Sequence, residues 1–213
     1  MTTTYNPRVF EVNTIAEAMR IILTPEGAST AERWEKETPY LADLFAQVMD
    51  VNANSLLLDY GCGIGRLSHE LINKYGCRVV GLDISPSMRA MSVVYARSDR
   101  FMSCSCEMID DLIARGVRFD AALSIWVLQH CLKPAEDIAR ICNALRPGGE
   151  LFVVNGDTRA VPTVEKGWVN DTLDIKTMLA VEFEQRESGR LAREKTTELV
   201  AAHSFWAKYR KPV

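Results

Sequence analysis

Long apolar segments are missing from this sequence. Its first residues, MTTTYNPRVFEV, lack the charged and then apolar layout of a secretory signal. No run approaches the roughly 20 apolar residues that a membrane-spanning helix needs. Both absences predict a cytoplasmic protein with no membrane partner.

Metal-ligating and basic residues are also too few or too dispersed to support two further classes of protein. The 6 cysteines include no Cys-x-x-Cys pair and there are only 3 histidines, which predicts no metal site and reduced, buried cysteines. The net charge is −3, and lysine and arginine are spread along the chain. Duplex nucleic acid requires a concentrated basic face, so we predict no nucleic-acid partner.

What the sequence does contain is an alternation of short apolar runs with helical stretches. Strands are predicted over 55–60, 78–83, 100–105, 119–128 and 150–154, with a helix after each of the first four. Such an alternation forms a mostly parallel sheet with helices on both faces, that is, a doubly wound α/β fold. A ligand then lies beyond the carboxyl ends of the strands.

The N-terminal residues 1–50 are predicted to form helices and no strand. One helix has an apolar face over 15–23, and a second covers 31–37. Thr38 and Pro39 resemble an N-cap and a first helical residue, which would open a third helix. These helices are a candidate lid over the sheet.

The C-terminal residues 156–213 follow a core of 51–155. We predict a helix over 173–181, a charged surface hairpin or loop over 184–195, and a final strand over 204–211. The chain from 1 to 213 is predicted to be a single domain.

The loop after the first strand, Asp59-Tyr60-Gly61-Cys62-Gly63-Ile64-Gly65-Arg66, has glycine at alternate positions. Glycine lets the backbone turn sharply and approach a ligand, and the next helix points its N-terminal amides at the same place. A dinucleotide site needs glycine where Arg66 stands. Asp59 would repel a pyrophosphate and suits a ligand with a cationic end. A tight strand-to-helix turn without a ligand is the alternative.

Asp83 ends the second strand at the same edge of the sheet. A carboxylate there can accept two hydrogen bonds from a ribose diol, and Ile84 and Met88 are then placed to flank an adenine. The alternatives are an N-cap role for Asp83 and an ordinary core position for Met88.

Four stretches in register resemble the successive motifs of class I S-adenosylmethionine-dependent methyltransferases, over about residues 55–155. They are LLLDYGCGIGRLS, VVGLDIS, FDAALSIWVLQH and LRPGGELFVV. The resemblance implies a Rossmann-like, seven-stranded sheet with an antiparallel last strand, and S-adenosylmethionine as cofactor. It implies the cofactor's methionine end at Asp59, Gly61, Cys62 and Gly63, with the ribose on Asp83. Gly65 of the same loop is a further candidate for cofactor binding.

The chain departs from the family after the third strand. An acidic residue that meets the adenine amino group is usual there, and this sequence has Ser105. The adenine contact then falls to Cys106, Glu107 or the backbone.

The ends of the fourth and fifth strands provide further candidates. Ser124 and Ile125 should pass beside the sulfonium, and His130 has a suitable pKa for a general base. The alternative for His130 is a structural hydrogen bond to a neighbouring loop. Asn155 and Asp157 face the crevice or, alternatively, form turns.

The acceptor must enter over the cofactor, where Tyr5, Arg33, Trp34 and Tyr40 are candidates for its wall, or else core residues. The short segment 156–170 and the absence of an Asn- or Asp-Pro-Pro-Tyr motif favour a small molecule. We therefore predict a methyltransferase, monomeric or homodimeric, that modifies an oxygen or nitrogen of a small-molecule acceptor. A catalytically silent S-adenosylmethionine-binding partner protein and an NAD-type Rossmann enzyme are the alternatives.

Overall fold

Helices and strands alternate through the middle of the computed structural model, which describes residues 4–21 and 30–213. The helices are α1 (Ile15–Arg20), α2 (Thr30–Val48), α3 (Arg66–Tyr75), α4 (Pro86–Ala96), α5 (Cys106–Ala114), α6 (Pro134–Ala144), α7 (Ile175–Glu182) and α8 (Glu198–His203). The strands are β1 (Leu56–Tyr60), β2 (Arg78–Leu82), β3 (Phe101–Cys104), β4 (Phe119–Ile125), β5 (Leu145–Gly156), β6 (Val161–Thr163), β7 (Gly167–Val169), β8 (Glu184–Gly189) and β9 (Ser204–Arg210).

One sheet holds seven strands in the order β3-β2-β1-β4-β5-β9-β8. The strands from β3 to β5 in that order are parallel, and β9 is antiparallel to both of its neighbours. The chain changes direction across the sheet between β1 and β4, which opens a crevice at their carboxyl ends. The predicted doubly wound fold with an antiparallel last strand is confirmed.

Two apolar layers cover the sheet. Neighbouring residues of β1 point to opposite faces, so Leu57 joins one layer and Leu58 the other. The layer of Leu57 includes Leu41 and Phe45 of α2, which are completely buried. The second half of α2 is therefore core and not a movable cover.

The predicted helix break at Thr38 and Pro39 is wrong, because both residues lie inside α2. The Thr38 hydroxyl donates to the Trp34 carbonyl one turn back at 2.5 Å, so it does not cap a new helix. Burial of the apolar residues that follow stabilises the helix by more than it loses from the hydrogen bond that the proline nitrogen cannot donate. Part of the predicted apolar face over 15–23, Ile22 and Leu23, lies outside the described residues.

Several strands also differ from prediction, among them β5, which begins at Leu145 and not at 150. The first half of the expected charged hairpin or loop over 184–195 is the edge strand β8, whose charged, exposed side chains suit an edge. The fourth strand ends at Ile125 and not at 128, because Trp126 has a φ of 63° and leaves the extended conformation.

A two-stranded ribbon of β6 and β7 follows β5, and no pattern in the sequence predicted it. The N-terminal segment pairs with this ribbon. Tyr5 bridges Thr163, the Asn6 amide donates to the Pro162 carbonyl at 3.0 Å, and the Val164 amide donates to the Thr4 carbonyl at 2.9 Å. Residues distant in sequence thus form one small layer beside the crevice.

No helix within residues 4–21 or 30–213 combines the length and apolar character that a bilayer span requires.

Candidate functional site

A cavity of about 700 Å³ lies at the carboxyl ends of β1, β2 and β4. Its wall combines the loops that follow these strands with Tyr5, Phe10, Trp34 and Trp168 from the N-terminal segment, α2 and β7. The position agrees with the rule for open α/β sheets, which places ligands at this edge.

The glycine loop is shaped by two different steric requirements. Gly61 has a φ of 79°, and a Cβ there would lie 2.3 Å from Val127 Cγ2, so only glycine fits. The amides of Gly61 and Cys62 both donate to the Leu82 carbonyl, at 2.7 and 2.8 Å. At Gly63 a Cβ would meet no atom within 4 Å, because this residue faces the open cavity. The loop therefore brings bare backbone to the cavity at Gly63.

Asp59 places a buried carboxylate in the cavity wall. The Ser68 hydroxyl donates to one of its oxygens at 2.6 Å. Burial raises the pKa of Asp59 to about 6, although the Ser68 hydrogen bond and the nearby Arg66 guanidinium act in the opposite direction. A cationic ligand group would stabilise the ionised form.

Asp83 also lines the cavity, and its two oxygens accept from the amides of Gly63 and Ser85, each at 2.8 Å. Burial raises the pKa of Asp83. The N-cap of α4 is Ser85, whose hydroxyl accepts from the Met88 amide at 3.3 Å, so Asp83 does not serve as that cap. Ile84, half exposed, and Met88, buried, both line the cavity.

Of the two residues proposed for the adenine, the structure brings only Cys106 into the cavity wall. Glu107 is exposed and outside the wall, and a hydrogen bond from Ser105 lowers the pKa of Glu107. Ser105 itself caps α5 by accepting from the Met108 amide.

His130 lies in the cavity wall with both ring nitrogens engaged. Its Nδ1 is 2.6 Å from the Ala160 carbonyl and must donate to it, so Nε2 carries the lone pair. Gln129 Oε1 accepts from the Gly156 amide at 2.5 Å, which turns the side-chain nitrogen of Gln129 toward His130 Nε2 at 3.0 Å. Burial lowers the pKa of His130, so the imidazole is neutral at pH 7.

Sequence reasoning missed a buried charge cluster. Arg33 Nη2 lies 2.8 Å and Arg66 Nη2 lies 3.6 Å from the carboxylate of Glu37, and both arginines line the cavity. The Glu37 carboxylate also accepts from the Trp126 indole at 3.1 Å, and the Arg66 guanidinium lies 5.2 Å from the centre of the Trp34 ring. The four-residue spacing of Arg33 and Glu37 was the available signal.

Several predicted site residues lie outside the cavity wall and have structural partners. The Tyr40 hydroxyl accepts from the Ala192 amide at 2.9 Å, and Asn155 Oδ1 accepts from the Gln129 amide at 3.0 Å. These contacts explain why Tyr40 does not line the crevice and why Asn155 does not face it. Also outside the wall are Gly65, which is the N-cap residue of α3, Ser124, which is buried, and Asp157, which pairs with Arg190 and Lys176.

Comparison with known proteins agrees with this geometry. Residues 58–153 match the model of a methyltransferase domain. A ubiquinone biosynthesis O-methyltransferase of Methylobacterium sp. (strain 4-46) is 34% identical over 101 residues, which are 47% of this chain and 40% of that protein. A tRNA U34 carboxymethyltransferase of Shewanella piezotolerans (strain WP3 / JCM 13877) is 28% identical over 161 residues, 70% of this chain and 45% of that protein. The chain spans less than half the length of either relative.

Among solved structures, that of the [4+2]-cyclase SpnF has a TM-score of 0.65 with 21% identity and covers 82% of both chains. At this identity the likeness shows a shared fold alone. The match over 58–153, the four sequence motifs and the strand order agree with one another. The region 58–153 is therefore similar to a methyltransferase domain, in agreement with the resemblance of its motifs to class I S-adenosylmethionine-dependent methyltransferases.

Proposed function

We propose that this chain transfers a methyl group from S-adenosylmethionine to an oxygen or nitrogen of a small-molecule acceptor. The supporting observation is that one cavity of about 700 Å³ is lined both by charged residues at strand ends and by aromatic residues. That volume is in the range that small ligands occupy. Residues 1–213 then act as one domain, with the N-terminal segment beside the acceptor.

The charges of the cavity fit the cofactor. We assign Asp59 to its ammonium group, Arg33 and Arg66 to its carboxylate, and Asp83 to the ribose diol. The guanidinium groups of Arg33 and Arg66 line the cavity, and a guanidinium can donate paired hydrogen bonds to a carboxylate. The adenine is assigned to the space between Ile84, Met88 and Cys106.

The chemistry of the site rests on orientation and on a base. When bound, S-adenosylmethionine supplies a methyl group on a good leaving group, so positioning the acceptor in a dry cavity supplies much of the rate. A hydroxyl or protonated amine must also lose a proton. His130 is suited to accept it, because the Ala160 carbonyl fixes the Nδ1–H tautomer and leaves Nε2 as the basic atom.

Calorimetry with S-adenosylhomocysteine tests the cofactor assignment. We expect affinity in the micromolar range or tighter, on the order of −8 kcal/mol. Asp83→Ala should weaken binding by about 1–3 kcal/mol, since hydrogen bonds to a charged group are lost. Glu107→Ala, an exposed acid outside the cavity, is the matched control and should bind normally. No heat with the wild type at millimolar ligand would end the proposal.

The acceptor class is tested by turnover. S-adenosylhomocysteine should be released when the enzyme and S-adenosylmethionine are incubated with a filtered metabolite fraction, and not when they are incubated with purified tRNA. Release with tRNA alone would show that the acceptor is a nucleic acid and would contradict the small-molecule assignment.

A catalytically silent cofactor-binding protein is the second candidate, because the Gln129 side chain occupies the only basic atom of His130. The cyclase SpnF shares this fold, and a shared fold does not fix the reaction. Tight binding of S-adenosylhomocysteine without methyl transfer to any metabolite would favour that candidate. Binding of NAD in its place would favour an NAD-type enzyme.

A further inference from the structure

Three aromatic rings from distant segments meet on the cavity wall. Phe10 belongs to a 3₁₀ turn (Pro7–Phe10), His130 to the turn after β4, and Trp168 to β7. The ring centres are 6.0 Å apart for Phe10 and His130, 5.2 Å for His130 and Trp168, and 6.2 Å for Phe10 and Trp168. All three line the cavity, and Trp168 is 55% exposed. Such rings offer faces and edges to another flat ring.

The charges near this wall are already compensated within the described part of the chain. The buried Arg159 guanidinium pairs with Asp171 at 2.7 Å and donates to the carbonyls of Leu128 and Cys131 at 2.9 and 2.7 Å. At the rim, Lys133 pairs with Glu136 at 2.8 Å. An anionic acceptor therefore gains little here, since it would lose hydration without gaining a free cation.

A cationic acceptor is also disfavoured. The carboxylate of Asp171 is held by Arg159, and that of Asp137, which lines the cavity, pairs with Arg140 at 3.4 Å and accepts from the Tyr60 hydroxyl at 2.5 Å. An ammonium group placed against the wall would therefore lose hydration without gaining a free anion among the described residues.

His130 Nε2 is the basic atom of this aromatic wall. An acceptor hydroxyl that replaces the Gln129 amide beside Nε2 would lie next to a base. Phenols ionise near pH 10, about as tyrosine does, so a neutral imidazole can remove their proton far more readily than that of an alkanol.

Resting on the proposed function, we infer that the acceptor is an uncharged aromatic hydroxyl compound, stacked against Phe10 and Trp168 with its oxygen at His130 Nε2. The phenolic oxygen forms the new bond to the methyl carbon as the bond between that carbon and sulfur breaks. The electron pair of that bond stays on sulfur, and the phenolic proton moves to Nε2. The positive charge passes from the sulfonium to the imidazolium, and the products are an aryl methyl ether and a neutral thioether.

The test uses the full chain saturated with S-adenosylhomocysteine and three naphthalene probes of different charge. Binding of 2-naphthol, 2-naphthoate and 1-naphthylmethylammonium is measured by calorimetry at pH 8. We expect 2-naphthol to bind at least about tenfold more tightly than either charged probe. Tighter binding of a charged probe, or no binding of 2-naphthol up to its solubility limit, would overturn the inference.

Variants locate the bound ring. Trp168→Leu should weaken 2-naphthol binding about tenfold and leave the affinity for S-adenosylhomocysteine unchanged. Val164→Ala is the matched control, since Val164 is 64% exposed on the same ribbon and lies outside the cavity wall. Phe10→Leu is the second variant if the first does not fold. An unchanged 2-naphthol affinity in a folded variant would overturn the inference, whereas failure of the proposed function would appear earlier, as absent S-adenosylhomocysteine binding.

Discussion

The two sides of the cavity are built in different ways. On the side that we assign to the cofactor, neighbouring strand ends are joined by hydrogen bonds from backbone amides, such as that from the Gly63 amide to the Asp83 carboxylate at 2.8 Å. On the acceptor side, Phe10, His130 and Trp168 come from distant segments and meet through ring contacts. One side depends on local chain geometry and the other on long-range packing. The acceptor side can therefore change in sequence without disturbing the cofactor side.

On the cofactor side, we expect the largest effects from substituting two glycines. The two variants separate an effect on ligand binding from an effect on folding. Gly63→Val should abolish S-adenosylhomocysteine binding, at least about a hundredfold, because the side chain would enter the open cavity. Its φ of 55° adds strain of about 1–2 kcal/mol, a modest loss of stability. Calorimetry and thermal unfolding measure the two effects.

Gly61→Ala is the matched control for that variant. Its Cβ would lie 2.3 Å from Val127 Cγ2, so we expect a large fall in melting temperature in addition to weaker binding. If Gly63→Val bound S-adenosylhomocysteine normally, the ligand would lie elsewhere and the contrast between the two sides would lose its basis.

A smaller effect concerns the charge of Asp59. Its folded-state pKa of about 6 lies above the ordinary value of 3.8, so the folded protein holds this proton more tightly than the unfolded chain does. Asp59 therefore lowers stability progressively as the pH rises from about 4 to 6, and the loss persists above 6. A cationic ligand group favours the ionised form of Asp59 and so reverses the preference for the protonated form. Affinity for S-adenosylhomocysteine should rise with pH through about 6 and then level off.

Asp59→Asn should remove both the pH dependence of stability and the pH dependence of S-adenosylhomocysteine affinity. We expect affinity at pH 8 to fall about tenfold to a hundredfold, with a flat pH profile. The free energy of unfolding of the ligand-free protein should rise by about 1–3 kcal/mol, because no charge is then buried and the amide oxygen still accepts from Ser68. An equal pH dependence in the wild type and the variant would assign the titration to another group.

The same contrast explains which parts of the fold could be predicted from the sequence. Ser85 and Pro86 indicate the start of α4 by themselves, because a cap and a proline at the first helical position act locally. The glycine loop and Asp83 are placed by strand ends that the apolar runs already reveal. By contrast, Pro39 indicates a helix start locally, and only the burial of Leu41 and Phe45 keeps α2 continuous.

The acceptor side was hidden for the same reason. The ribbon strands β6 and β7 are each three residues long, too short for a periodic pattern. Trp168 and Phe10 acquire a role only when the N-terminal segment pairs with the ribbon through Tyr5 and Thr163. The buried arginines were misjudged because their partner Glu37 lies in α2, far from the loop that drew attention to Arg66.

The smallest effect on cofactor binding is expected from the N-terminal segment itself. Tyr5 and Phe10 line the cavity, and the segment is fastened by the ribbon pairing and by the Val12 amide, which donates to the Ser87 hydroxyl at 2.9 Å. None of these contacts belongs to the two layers on the sheet. Deleting residues 1–12 should therefore lower the melting temperature by only a few degrees, equivalent to about 1 kcal/mol.

The deletion should also affect ligand binding differently on the two sides of the cavity. We expect S-adenosylhomocysteine affinity to change by less than about threefold and 2-naphthol affinity to fall about tenfold, because an aromatic wall loses Phe10. In the full chain, adding both ligands should slow hydrogen exchange at the backbone amides of residues 5–12, since a ligand beneath a segment raises its opening free energy. Unfolding of the truncated protein would show that the segment is core. Equal exchange with and without ligands would show that it covers nothing, and the acceptor would then enter by another face.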